Sequence, residues 1–439
     1  MDLSLIKSQK DKVTSTKASK RLISLFDEGS FYEIDSLVLS PECANVAVGF
    51  GTINGCPVYA FSQDSSLKAT SIGKLQIDKI VKIYKLAAKT GTPVIGIYDS
   101  KGATLKEGTE VLNAYSEMLY WTNNLSGVVP QISVIAGACT GTLSVIAQSA
   151  DFVIKAKEAS FYLNLKDKNN IDSEESELVH IITETPQAAI ETAKKIISYL
   201  PSNNLEMPMF FNAVGSSNDK HDFVSLVADN ESTIELLSKF GTDAKIFFAK
   251  VAGQTAGIIN ASSKTELSKN AMSKTARFVR FCDAFSIPVI TGIDIESLSC
   301  MKEAAKVTQA YAEATTAKIT VITGNAVGSA FIAFASKASN SDIILSWPNA
   351  VISALKPETA VAVMWDSKLK KMINPSTDRP KIIEQYKTEE ASPLKAAQNG
   401  LLDDIILPED TRSAVINALN MLAGKRETKL PKKHSNIQL

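Results

Sequence analysis

The sequence predicts an α/β chain of two tandem domains made by an internal duplication, the first over residues 1–215 and the second over 216–439. Three observations carry this reading. An apolar strand that runs into small residues and a glycine occurs twice, as "VIAGACTG" (Val134–Gly141) and "VITGNAVG" (Val321–Gly328). Each copy follows a similar lead-in, "GTPVIGIYDS" (Gly91–Ser100) and "SIPVITGIDI" (Ser286–Ile295). The offsets between matching positions are nearly constant: 195 residues from Pro93 to Pro288, 187 from Gly137 to Gly324 and 191 from Asp151 to Asp342. Their scatter is what loop insertions produce, and a period this long is a duplicated domain, since solenoid repeats recur every ~20–50 residues.

The elements follow from the spacing of apolar residues. "IDKIVKIYKLAAKTGTPVI" (Ile77–Ile95) parallels "MSKTARFVRFCDAFSIPVI" (Met272–Ile290). Each places apolar residues at i, i+3, i+4 and i+7, which predicts an amphipathic helix on a sheet, and each then meets Pro and a β-branched run, which predicts a strand. "AYSEMLYW" (Ala114–Trp121) parallels "AYAEATTA" (Ala310–Ala317). Met118–Ala150 and Ile319–Ser336 carry no charge. Both are broken at the small-residue turns, and the first also holds Pro130, Asn123, Asn124 and Gln131, so they read as buried strand–turn–helix units and not as membrane spans. The polar stretch Pro201–Asp222 is the candidate linker.

Of 439 residues, 45% are hydrophobic and 21% charged, an ordinary globular composition. Lys+Arg and Asp+Glu are both 47, so no charge excess points to nucleic acid or to an anionic membrane. The five cysteines, Cys43, Cys56, Cys139, Cys282 and Cys300, form no C-x-x-C pair and read as reduced thiols of a cytoplasmic protein. The N-terminal segment lacks the apolar core of a secretory signal; its basic, Ser/Thr-rich character leaves an organellar transit peptide open, with Asp2 and Asp11 against it.

Side-chain chemistry is sparse. None of the three histidines, His180, His221 and His434, lies in a small-residue turn, and each reads as a surface or capping residue. No Walker A, G-x-S-x-G, H-E-x-x-H or G-x-G-x-x-G occurs, and no metal site is expected. Glu107 and Glu110 stand three apart; they suit an acid–base pair or, more simply, an acidic helix start. The repeated turn has two readings as well. Its small residues allow tight strand–helix packing, or they bring a ligand close to N–H groups at a helix start, where an oxyanion is stabilised.

Many segments, in order across both halves, resemble one family. They include "RLISLFDEGSFYEI" (Arg21–Ile34), "GFGTINGCPVYAFSQD" (Gly49–Asp64), "SGVVPQISVIAGACTG" (Ser126–Gly141), "KTARFVRFCDAFSIPVIT" (Lys274–Thr291) and "AYAEATTAKITVITGNAVGSAFIAFASK" (Ala310–Lys337). "SWPNAVISALKPETAV" (Ser346–Val361) and "SPLKAAQNGLLDDIILPEDTRSAV" (Ser392–Val415) complete the set. The chain is similar to the carboxyltransferase subunit of biotin-dependent acyl-CoA carboxylases and of the decarboxylases for methylmalonyl-CoA and glutaconyl-CoA.

This resemblance implies two crotonase-like ββα-spiral domains, with acyl-CoA against the first, biotin against the second, and a hexameric assembly. It implies carboxyl transfer between carboxybiotin and the carbon alpha to a CoA thioester, with two enolate-like oxygens held by backbone amides. Those amides map to Gly141 and Thr142 in the first half and to Ser329 and Ala330 in the second. Ligand contacts map to Gly73, Lys101, Gly102, Ala103, Gly137 and Gly328. The partners implied are a biotin carboxyl carrier protein and either a biotin carboxylase or membrane decarboxylase subunits; the chain shows neither a biotin-carrier Met-Lys-Met nor an ATP-binding module.

Departures from the family pattern keep a second reading open. Thr142 stands where the family has a second glycine, "SSLKATSIG" (Ser65–Gly73) retains only Gly73 of a glycine-rich loop, and "KGATLKEG" (Lys101–Gly108) has Thr104 and Lys106 for Arg and Gln. Lys68, Lys74, Lys101 and Lys106 are placed to pair with CoA phosphates in compensation. The alternatives are a non-catalytic acyl-CoA-binding or scaffold paralogue in a carboxylase complex, and a hydratase or isomerase that uses Glu107 as base.

Overall fold

The apolar spacing builds the same layered unit twice. The computed structural model describes residues 3–38, 45–67, 71–164, 178–216, 222–338, 341–370 and 375–436; Cys43, Lys68 and His221 fall outside them. The chain divides into two compact units, Met1–Pro208 and Met209–Leu439, with the division inside the polar Pro201–Asp222 stretch.

In the first unit, helices α1 (Leu3–Thr14) and α2 (Lys17–Leu25) lead into β1 (Tyr32–Ile34), β2 (Val46–Ile53) and β3 (Cys56–Gln63). Then come α3 (Lys74–Thr90), β4 (Val94–Ser100), α4 (Glu110–Asn124), β5 (Gln131–Thr140) and α5 (Thr142–Gln148). The unit ends with β6 (Phe152–Ala156), β7 (Ser160–Tyr162), β8 (Ile181–Thr183) and α6 (Pro186–Ile197). The sheet order is β1-β2-β3-β4-β5-β6-β8, with β7 paired to β5. Strands β1 to β3 are antiparallel and the rest join in parallel.

The second unit repeats the plan. Helix α7 (Phe223–Val227) precedes β9 (Ile234–Leu236), β10 (Ala244–Val251), β11 (Gln254–Ser263), α8 (Lys269–Ala284), β12 (Val289–Ile295) and α9 (Met301–Glu313). Next are β13 (Lys318–Val327), α10 (Ser329–Ala335), β14 (Ile343–Ser346), β15 (Val351–Ser353) and α11 (Pro357–Met364). Helices α12 (Asp366–Leu369), α13 (Pro375–Glu389) and α14 (Pro393–Gln398), strand β16 (Asp404–Ile405) and helix α15 (Thr411–Leu422) close the chain. The order β9-β10-β11-β12-β13-β14-β16, with β15 on β13, matches the first sheet strand for strand.

The helices expected from periodicity are α3 and α8, and the charge-free segments cover the end of α4 with β5 and α5, and β13 after its first residue with α10. In the first unit α3 and α4 bury Ile77, Ile80, Tyr84 and Met118 against Phe61 and Tyr98 of the sheet. Among the described residues no helix is long and apolar enough to cross a membrane. His180 departs from its surface reading: it is buried, and its Nδ1 accepts the Val153 N–H at 3.1 Å, a bridge between β6 and the segment before β8.

The β2–β3 hairpin turns at Asn54-Gly55, both with positive φ (51° and 80°), the signature of a tight type I′ turn. Asp27 accepts both turn N–H groups at 2.9 Å and the Thr52 hydroxyl at 2.7 Å. The β10–β11 hairpin turns at Ala252-Gly253, again at positive φ (51° and 80°), and Asp229 accepts those N–H groups at 2.9 and 2.8 Å. Asp229 is buried and also holds Arg412 of α15 at 2.6 Å. Asp229→Ala therefore removes the counter-charge of a half-buried guanidinium, which keeps the Val227 and Val214 carbonyls as acceptors, and should cost about 3 kcal/mol. Asp27→Ala loses hydrogen bonds alone and should cost about 1–2 kcal/mol. Thermal melts should place Asp229→Ala below Asp27→Ala; the opposite order would contradict this account of the two hairpins.

Candidate active site

Both small-residue turns sit at the carboxyl ends of central parallel strands, where α/β sheets present their ligands. Gly141 (φ 65°, ψ −142°) ends β5 and starts α5; Gly328 (φ 52°, ψ −119°) ends β13 and starts α10. An L side chain rarely adopts such a backbone, so glycine is needed here for conformation. Gly141 donates its N–H to the Tyr162 carbonyl at 3.2 Å, and Gly328 donates to the Ser353 carbonyl at 2.8 Å. The glycine amides thus fasten each turn to the short strand β7 or β15. The next residues, Thr142 and Ser329, are exposed at the first helical position, where an N–H has no intrahelical acceptor; Leu143 and Ala330 follow and are buried.

The other expected ligand residues of the first half gather beside this turn. Ser100 of β4 pairs with Cys139 of β5, and a Cβ on Gly102 (φ 101°) would lie 3.4 Å from the Thr140 carbonyl. Gly102 accepts the Ile72 N–H at 2.9 Å, Ile72 accepts the Thr104 N–H at 3.0 Å, and Ala103 is the bridging residue opposite Ile72. The loop before α3 is therefore stitched to the loop after β4. Lys74 opens α3 directly after the first stitched loop and Lys101 and Lys106 stand on the second, all three exposed. The second half has the same stitch at Leu267 and Leu298.

Gly73 and Glu107 form a helix cap. The Lys74 N–H donates to Glu107 Oε2 at 2.7 Å, the Gly73 N–H donates to Gln76 Oε1 at 3.1 Å, and the Glu107 carboxylate fills the space a Cβ on Gly73 would take. A carboxylate at the start of the 17-residue helix α3 is stabilised by unpaired N–H groups and by the helix dipole. Glu107 is occupied there, capping α3, while Glu110 begins α4, so the two carboxylates do not share the helical face expected of them.

Gly137 and Gly324 have a different neighbour. A Cβ on Gly137 would lie 2.1 Å from Asp99 Oδ1, and one on Gly324 would lie 2.3 Å from Asp294 Oδ1. The space at Gly137 therefore belongs to a carboxylate of the chain itself. Asp99 is 3% exposed. It accepts from Arg21 at 2.8 Å, the Ser65 hydroxyl at 2.6 Å and the Ala138 N–H at 3.3 Å, with Lys17 at 3.6 Å. Burial alone pushes its carboxyl up, but the Ser65 hydroxyl, Arg21 and Lys17 together hold it below the usual carboxylate range. Asp294 accepts the backbone N–H of Asn325 at 2.7 Å and its Nδ2 at 2.9 Å. Sequence reasoning passed over both aspartates, although Asp99 and Asp294 keep the 195-residue offset of Pro93 and Pro288. Arg21 is separated from Asp99 by 78 residues and gave no local signal.

Beside α5 lies a recess of about 300 Å³, lined by Ser144, Val145, Gln148, Phe161, Tyr162 and Leu163 among others.

The model of the carboxyl transferase domain matches residues 10–165 and 171–437. The methylmalonyl-CoA decarboxylase subunit alpha of Propionigenium modestum is 32% identical, over 96% of this chain and 93% of that protein. The methylmalonyl-CoA carboxyltransferase 12S subunit of Propionibacterium freudenreichii subsp. shermanii is 33% identical, over 96% of this chain and 91% of that protein. A crystal structure of transcarboxylase 12S, a hexamer holding methylmalonyl-coenzyme A and methylmalonic acid, superposes with a TM-score of 0.88 at 31% identity, covering 98% of this chain and 94% of that one. A match of this extent, over both units, makes the chain a member of the carboxyl transferase domain family.

Proposed function

We propose that this chain is the carboxyltransferase subunit of a biotin-dependent acyl-CoA carboxylase or decarboxylase complex, moving a carboxyl group between carboxybiotin and the α-carbon of a short acyl-CoA. The observation that carries the reading is the duplicated turn: two strand ends, each closed by a positive-φ glycine whose own N–H is used, each followed by an exposed helix-start residue. Carboxybiotin, brought by a separate carrier protein, supplies the carboxyl group and a nitrogen able to take the α-proton. The chain's part is electrostatic. The turn at Gly141 and Thr142 faces the thioester oxygen as negative charge develops on it, and the turn at Ser329 and Ala330 faces the biotin side. Because Gly141 and Gly328 occupy matching places, the donors of the first turn are Thr142 and Leu143, in register with Ser329 and Ala330. Fixed donors aimed at developing charge supply the stabilisation without a side-chain base.

Gly102 lies against the first turn with Ala103 beside it on the stitched loop, and Lys74 at the start of α3 with Lys101 and Lys106 on that loop pair with CoA phosphates as point charges. The partners are a biotin carboxyl carrier protein with either a biotin carboxylase or membrane decarboxylase subunits, and the subunits assemble as a hexamer in the cytoplasm. The test is purified protein with free biotin and methylmalonyl-CoA or malonyl-CoA, followed by loss of the ester. The expected result is biotin-dependent decarboxylation with an acyl-CoA KM that rises with salt. A folded protein that binds the ester and never turns it over is a binding paralogue, and the proposal fails.

The turns make a sharper prediction. Thr142→Ala and Ser329→Ala keep the N–H and should keep most activity. Thr142→Pro and Ser329→Pro delete a donor worth roughly 2.7–4 kcal/mol, so kcat should fall about 10²–10³-fold. Proline suits the first helical position, so melting and assembly should be preserved. Alanine as damaging as proline would make the hydroxyl the working group. Glu107→Gln, which keeps an acceptor at the α3 cap, should lose little turnover; complete loss in a folded protein would restore the hydratase or isomerase reading.

A further inference from the structure

The same device aims both turns. Tyr98 pairs with Ile135 and Ser100 with Cys139, so two steps along β4 match four along β5. Ile293 pairs with Ile322 and Ile295 with Ala326, the same mismatch between β12 and β13. Each mismatch is a bulge, and bulges redirect the strand that carries them. The residue opposite each bulge is an aspartate. Its carboxylate takes the place of a Cβ on Gly137 or Gly324 and accepts the N–H of the following residue, Ala138 or Asn325. Beyond that bond the strand pairs with β7 or β15: Ala138 to Thr140 lie beside Ser160 to Tyr162, and Asn325 to Val327 beside Val351 to Ser353. Three residues past the clasped N–H come Gly141 and Gly328. The direction of each turn is therefore set between the aspartate on one side and the short strand on the other.

We infer that Asp99 and Asp294 are positioning residues, each serving one substrate: Asp99 holds the turn that faces the acyl-CoA, and Asp294 holds the turn that faces biotin. The assignment of substrates rests on the carboxyltransferase reading above. Neither carboxylate touches a reacting atom; each acts through three residues of backbone. The supports differ in kind. Asp99 is charge-paired with Arg21, whose second nitrogen donates to the Gln63 carbonyl at 2.7 Å, whereas the contacts of Asp294 are amide donors from Asn325. A small misplacement of a catalytic donor is costly, so a loosened clasp shows in turnover before it shows in folding.

The experiment compares Asp99→Asn and Asp294→Asn with Gly137→Ala and Gly324→Ala. The alanines push the carboxylate out of the bulge without changing any charge, and neither glycine has a positive φ that alanine would strain. Decarboxylation of methylmalonyl-CoA is measured with the ester and free biotin varied in turn, beside melting temperature and assembly. Asp99→Asn and Gly137→Ala should lower kcat/KM for the ester about tenfold and leave the biotin KM within twofold. Asp294→Asn and Gly324→Ala should do the reverse. A KM for the other substrate that changes as much as kcat/KM falls for the first, or no loss at all, in folded variants overturns this inference while wild-type turnover upholds the carboxyltransferase reading. Failure of both variants of one half to fold also overturns it, since the carboxylate then holds the domain and not the turn. Wild-type protein without turnover overturns the reading and the inference together.

Discussion

A carboxylate set into a strand bulge, where a glycine has no side chain, is the contact on which the architecture of each half depends. A carboxylate withdrawn from water, fully at Asp99 and partly at Asp294, is tolerated when donors meet it. Asp99 meets that demand with a guanidinium, a hydroxyl and a backbone N–H, and Asp294 with the backbone and side-chain amides of one residue. The demand runs outward from there. Gly137 and Gly324 must lack a Cβ, α2 must bring Arg21 to the end of β4, and the loop before α3 must bring Ser65. It also runs toward the site, because the strand that leaves the bulge ends in the turn and gains β7 or β15 as its new neighbour.

The duplication preserves this frame and lets the remainder diverge. Tyr311 of α9 bonds the Thr291 hydroxyl of β12 at 2.7 Å. The matching strand position in the first half is Gly96, where a Cβ would collide with the Phe61 and Tyr98 rings, and the hydroxyl of the matching Tyr115 is buried with no hydrogen-bond partner among the described residues. A polar link between helix and sheet in one half has become aromatic packing in the other. The hairpins diverge in the same way: Asn54 in one turn, Ala252 in its counterpart, with an aspartate clamp on both. What stays the same is the geometry of the strand end, with its bulge, its aspartate and its positive-φ glycine.

Much of this was legible in the sequence because periodicity and repetition are local signals. The helices α3 and α8, the strands beside them and both turns follow from apolar spacing and from the offset between halves. The β10–β11 hairpin was not legible, because Ala252-Gly253 lacks the Asn-Gly signal that marks its counterpart. The place of each turn was visible, but the purpose of its small residues was mixed. Gly141 and Gly328 serve backbone conformation, Gly137 and Gly324 make room for aspartates, and Gly73 makes room for Glu107. A glycine looks the same in sequence whether it admits a ligand, a carboxylate or a left-handed turn. Only the partner that fills the space tells them apart, and Arg21, Asp99 and Glu107 reach their places through tertiary contacts.

The central claim is that the two turns present backbone amides to two different oxygens. Its most direct test is the structure of the assembled protein with free biotin and an unreactive malonyl-CoA analogue in which the thioester oxygen is retained. The account predicts that oxygen within ~3 Å of the Thr142 N–H and the biotin ureido oxygen within ~3 Å of the Ser329 N–H, the usual hydrogen-bond separation, with the Asp99 and Asp294 clasps intact. A thioester oxygen held by side chains, or a ligand seated away from both turns, would contradict it.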